Sequence, residues 1–154
     1  MHLKTLLSVA AGMVAGAALT LAIVATPASP AAAQMDAFAV AQKAQAMTTV
    51  YQLDQVGFHA LSEEIAGGSV PAGALGKVRN ARIMTAATSW PEPLHEQAQA
   101  LSAKMVEYEA VLRTEDAAKA APIAEAVHDL EHDFSGAVYT WLTGAPAPAP
   151  EHGH

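Results

Sequence analysis

From residue 40 onward, apolar side chains recur at alternating steps of four and three, the spacing of a helical face packed lengthwise against its neighbours. The first run is Val40, Ala44, Met47, Tyr51, Asp54, Phe58, Leu61 and Ile65. It predicts one helix stopped by Gly67-Gly68, because glycine readily takes the left-handed conformation that follows a helix end. A second helix is predicted after Ser69-Val70-Pro71, read as a cap with proline in the first turn. It runs to about Thr88 through Leu75, Val78, Ile83 and Ala86. Gly73 and Gly76 weaken its start, and Lys77, Arg79 and Arg82 make it the most basic stretch.

Ser89-Trp90-Pro91-Glu92 reads as a capping box. The third helix then carries Leu94, Ala98, Leu101, Met105, Tyr108 and Leu112. Thr114-Glu115-Asp116 caps a fourth segment, which Pro122 should kink or effectively start. Its face is Ile123, Val127, Leu130, Phe134, Ala137 and Trp141, and Gly144 ends it. Four such stripes with short links and no alternating β-branched run predict an all-α fold. An antiparallel up-down-up-down four-helix bundle buries them most economically, with a three-helix variant if the second segment proves irregular.

The pattern before residue 34 is different. Lys4 gives a positive start, Leu6 to Ala25 carries no charge, and Thr26-Pro27-Ala28-Ser29-Pro30 breaks the run. Ala31-Ala32-Ala33 then supplies the small-x-small exit of a secretory signal peptide, so residues 1–33 are read as a signal with cleavage after Ala33. The alternative is an uncleaved membrane anchor. The apolar run is about 20 residues, which is span length, and it holds the close-packing spacing Gly12-x-x-x-Gly16. On either reading residues 34–144 form a bundle outside the cytoplasm, periplasmic or secreted. Residues 145–154, Ala-Pro-Ala-Pro-Ala-Pro-Glu-His-Gly-His, read as an extended, mobile tail.

Composition narrows the chemistry. The chain has no cysteine, which excludes disulfides, thiolate metal sites and covalent haem. The hydrophobic fraction of 52% is inflated by alanine, which favours helix but buries little area, so the bundle should be slim. After loss of Lys4 with the signal, 7 basic side chains face 15 acidic ones. That surplus argues against nucleic acid and anionic membrane surfaces as partners.

The chemistry that remains is carried by histidine. In His128-Asp129-Leu130-Glu131-His132 the two imidazoles sit at i and i+4 on one helical face, with Glu131 beside them. Two imidazoles and a carboxylate suit zinc, and imidazole also suits copper and nickel. The spelling H-x-x-E-H is that of inverted zinc peptidases, yet only 22 residues follow His132, too few for their downstream ligand and cleft-forming domain. His59 and Glu63 make a second i, i+4 pair. In a bundle whose first and last helices are neighbours, His59, Glu63, Glu131, His128 and His132 could share one groove. The contrasting reading leaves both pairs on wet faces with no ligand. His152 and His154 form a third cluster, able to capture a metal or pass it on. Imidazoles ligate only when neutral, so any such site should weaken below about pH 6.5.

Asp54 falls on the apolar face of the first helix and would need a counter-charge, for which Arg79 or Arg82 is placed. Phosphate loops, nucleophile elbows and a paired Glu-x-x-His di-iron set are absent from the sequence. Met47, Met84 and Met105 read as core fillers. The chain is therefore expected to be an exported bundle that binds a transition-metal ion through histidine and carboxylate. The alternative is an adaptor for an envelope protein, with a metal-dependent enzyme third.

Overall fold

A computed structural model describes residues 30–146. Among these residues every regular element is helical. Residues 1–29, most of the segment expected to be a signal peptide, and residues 147–154, with the Glu-His-Gly-His end, lie outside the described residues. The elements are α1 (Pro30–Val56), α2 (Phe58–Ala66), α3 (Ala74–Ala87), α4 (Glu92–Leu112) and α5 (Ala117–Thr143). Among the described residues, no helix is long and apolar enough to cross a membrane. Pro30 opens α1, so Ala31, Ala32 and Ala33 belong to its first turns.

The expected first helix is two. Gly57 takes φ 67° and ψ 53° and separates α1 from α2. This left-handed conformation costs a residue with a Cβ about 1–2 kcal/mol, and glycine almost nothing. The break also resets which face is buried. Downstream, Phe58, Leu61 and Ile65 are in the core, as the spacing predicts. Upstream, the buried residues are Ala46, Thr49, Leu53 and Val56, whereas Val40, Met47, Tyr51 and Asp54 are exposed. A face extrapolated backwards through Gly57 thus lands on the opposite side of α1.

The α3 start also differs. Its N-cap is Gly73 at φ 83°, two residues past Pro71, whose carbonyl accepts from the Ala74 N–H at 3.1 Å. Ala74, Val78, Ala81 and Thr85 are buried, while Ile83 is exposed. The loop into α4 is held by Trp90 rather than by a serine cap. Its Nε1 donates to the Thr85 carbonyl at 2.8 Å, and its ring meets Phe134 edge-on at 4.7 Å. Ser89 is not the cap, because Pro91 occupies that position without a side-chain hydrogen bond. Gln42 and Gln45 of α1 donate to the Ser89 and Ala87 carbonyls, covering acceptors that a helix C-terminus leaves open.

In α4, Leu94, Ala98, Leu101, Met105, Tyr108 and Leu112 are all buried, as the sequence predicts. The α5 cap is also as expected: Asp116 accepts from the Lys119 N–H at 3.1 Å. Hydrogen bonding to Lys119 holds the Asp116 carboxyl below the usual carboxylate range. Pro122 lies inside α5, which continues through it. Val127, Phe134 and Val138 anchor α5 in the core, with Ile123, Leu130 and Trp141 half-buried beside them.

The buried carboxylate is Glu109, not Asp54. Arg82 Nε reaches one of its oxygens at 2.5 Å. Arg79 Nε and Arg113 Nη2 reach the other at 3.3 Å and 3.2 Å. Asp54 is exposed, and the two α3 arginines assigned to it turn to α4 instead. Burial pushes the Glu109 pKa up, but the hydrogen bonds and charges of Arg82 and Arg79 outweigh it and hold the carboxyl below its ordinary value. The sequence signal for this hub was Arg113, four residues beyond Glu109 and just past the end of α4.

Candidate functional site

The histidines divide between two places. On α2, His59 Nε2 lies 3.4 Å from Glu63 Oε1, one turn further on. Across the interface, the His59 and His128 rings stand 5.1 Å apart between centroids, tilted by 50°. His128 Nδ1 is also 3.8 Å from Asp129 Oδ1. His59 and Glu63 are well exposed, and His128 is about two-thirds covered, with 29% of its side chain exposed. The α2 and α5 helices pack directly against each other.

His132 and Glu131 lie elsewhere. Glu131 Oε1 accepts from Ser135 Oγ at 2.6 Å. Both residues line a groove of ≈ 500 Å³ between α1 and α5, whose apolar walls include Tyr51, Val138, Tyr139 and Leu142. Asp54 stands at the same groove. The structure therefore sets His59 beside Glu63 and, separately, beside His128, and places His132 and Glu131 at the groove with α1. Among the described residues, no group of three or more histidine or acidic side chains is gathered as a metal cage. The methionines split likewise: Met105 is buried, Met84 half-buried, and Met47 exposed on the groove wall.

Chemically, the first place offers two imidazole nitrogens and one carboxylate on adjacent helices. The second offers an apolar, aromatic-walled trough with carboxylates and one imidazole on its rim. The groove aromatics were not anticipated as a site, because Tyr51 reads from spacing as core and Tyr139 lies outside the apolar stripe of the last helix. Their signal was compositional: α1 carries only Asp36, Lys43 and Asp54 as charges over 27 residues, too few for a helix meant to be bathed in water. Lys43 is in turn spent on Trp141, 5.6 Å from the ring centroid.

Comparison of the chain with known protein families, with curated proteins and with solved structures finds no match.

Proposed function

We propose that this protein is an exported helical bundle that binds a transition-metal ion, zinc, copper or nickel, at the His59–His128 pair, with Glu63 as a third ligand. The observation that carries this reading is the 5.1 Å separation of the two rings. With metal–nitrogen bonds of about 2.0–2.1 Å, two imidazoles on one tetrahedral ion have centroids about 5 Å apart. Glu63 is already hydrogen-bonding distance from His59 and is exposed enough to re-aim, and water completes the shell. The residual exposure of the pair gives an ion an entry path.

The finer architecture belongs to the same reading. Counting α1 and α2 as the first rod, the chain is an antiparallel up-down-up-down bundle of four. Residues 42 and 45 of α1 contact the end of α3 at 87 and 89, and residues 52–56 share a cleft with residues 77–84, which supports that direction. Export rests on Lys4, the uncharged run that follows and the Ala31-Ala32-Ala33 exit, and places the protein in the periplasm or outside the cell.

Thermal denaturation with each metal tests the site. Binding to the folded state alone raises stability by about 2.7 kcal/mol at a hundredfold excess over Kd. The rise should disappear in His59→Ala and in His128→Ala and persist in His132→Ala. No rise with any of the three metals, or a rise that survives the double variant His59→Ala with His128→Ala, refutes the assignment. A rise lost only on deleting residues 151–154 moves binding to the tail and also refutes it.

One observation favours the adaptor as a second reading. Met35, Phe38 and Val40 on the first turns of α1 are between 64% and 69% exposed among the described residues. An envelope protein that packs on them would release Phe38→Ser. Equal co-purification of the variant and the wild type argues against that reading.

A further inference from the structure

The groove between α1 and α5 lacks an occupant among the described residues, and the chain carries one at hand. We infer that the groove seats the protein's own Ala-Pro tail, residues 145–152, folded back along α5. This inference is independent of the His59–His128 reading.

Three observations converge on it. The first is the wall chemistry. Tyr51 from α1 and Tyr139 from α5 are 60% and 44% exposed, and with Val138 and Leu142 they form a trough lined by aromatic and aliphatic faces. Grooves of this kind accept proline-rich strands, whose left-handed extended helix is preformed and loses little entropy on docking. Residues 145–150 alternate alanine with proline.

The second is the exit of the chain. Gly144 closes α5 at φ 71°, and Thr143 Oγ1 accepts from the Ala145 N–H at 3.1 Å. The backbone thus leaves the helix axis in a turn immediately beside Leu142, which is a groove residue. The third is reach. From Gly144 back to His132 along α5 is about 18 Å at 1.5 Å per residue. From Gly144 to His152 in the extended proline conformation is about 25 Å. A tail laid in the groove therefore has enough length to bring His152 alongside His132 and Glu131.

Seating the tail would cover Tyr51 and Tyr139, place the prolines against their rings, and bring His152 to the His132 and Glu131 rim. A second copy of the chain could offer a tail of the same chemistry, and the test separates the two.

The chain has no cysteine, so Gly153→Cys can carry a nitroxide as the single spin label. Paramagnetic broadening of backbone amides then reports where the tail end spends its time. Seating predicts the strongest broadening at residues 131–135 and 47–54. It also predicts a loss of that broadening of at least several-fold in Tyr51→Ser with Tyr139→Ser, two exposed positions whose change leaves the core intact. Strongest broadening at residues 140–143, falling off toward 132, means an unseated tail and overturns the inference. Broadening of 131–135 that occurs only between molecules, in a mixture of isotope-labelled protein without nitroxide and spin-labelled protein without isotope, assigns the groove to a second copy and also overturns it.

Discussion

The Glu109 hub gives the sharpest test of how the bundle is held together. Glu109 is 4% exposed and accepts from three guanidinium groups, two from α3 and one from Arg113 just past the end of α4. Arg82 is the most covered of the three at 28% side-chain exposure, against 45% for Arg79 and 52% for Arg113. The two exposed partners are screened by solvent and contribute little each. The weight therefore rests on Arg82, for which a hydrogen bond between charged groups is worth about 1.5–3 kcal/mol. Glu109→Gln preserves shape and one acceptor oxygen but turns an amide N–H₂ toward guanidinium donors. Removing one partner of a covered ion pair in this way should cost about 2–3 kcal/mol. For a fold of this size that corresponds to a fall in Tm of about 10 °C at pH 7, measured by circular dichroism. The pH dependence has a definite sign. The folded state holds the Glu109 carboxyl below its ordinary value, so its contribution is complete above the unfolded pKa of about 4.3 and is lost as pH falls through the depressed native value. The wild-type and Glu109→Gln melting curves should therefore converge in strong acid. A Tm within about 2 °C of wild type at pH 7, or a gap that stays constant into acid, refutes the hub as a stabilising element.

Two further substitutions test the backbone and the core. Gly57→Ala adds a Cβ that meets nothing within 4 Å, so its cost is purely conformational and should be about 1 kcal/mol by urea denaturation; an unchanged midpoint means that φ at residue 57 is not positive in solution. Tyr108→Phe removes a hydroxyl that is buried with no hydrogen-bond partner among the described residues, and burial holds the phenol's pKa well above the ordinary tyrosine range. Deleting an unsatisfied buried group should leave stability unchanged or raise it by about 1 kcal/mol, and a loss of more than about 1 kcal/mol would show that the hydroxyl has a partner after all.

The parts of the fold that were legible in sequence are those where one helix faces one set of neighbours throughout. The α4 face from Leu94 to Leu112 is the clearest, since nothing interrupts its periodicity. Asp116 could be read as a cap because its requirement is local: a side-chain oxygen within reach of an N–H three residues on. What escaped was set by tertiary geometry. Glycine at 57 is compatible with a continuous helix on propensity grounds, at a cost of about 1 kcal/mol. Only the packing of Leu53 and Val56 on one side, and of Phe58 and Leu61 on the other, makes the broken form preferable. The misplacement of Asp54 in the core follows from that single residue, and the assignment of Arg79 and Arg82 follows from Asp54.

The same break explains how the histidines are sorted. His128 and His132 are one turn apart on α5, about 6 Å at a rise of 1.5 Å per residue. On an uninterrupted partner helix, two such residues would face one continuous surface. Here the α1–α2 junction lies opposite that turn, so His128 meets His59 just beyond Gly57, while His132 meets the Tyr51 and Asp54 side of α1 just before it. The i, i+4 spacing was visible in the sequence and puts both imidazoles on one side of α5. Their separation into one imidazole paired with His59 and one at the α1–α5 groove was not visible, because it depends on where the opposing chain bends. If Gly57 were replaced by a residue that kept α1 and α2 continuous, the register of α2 against α5 would change, and His59 would be carried away from His128. Metal affinity should therefore depend on residue 57, which touches no ligand.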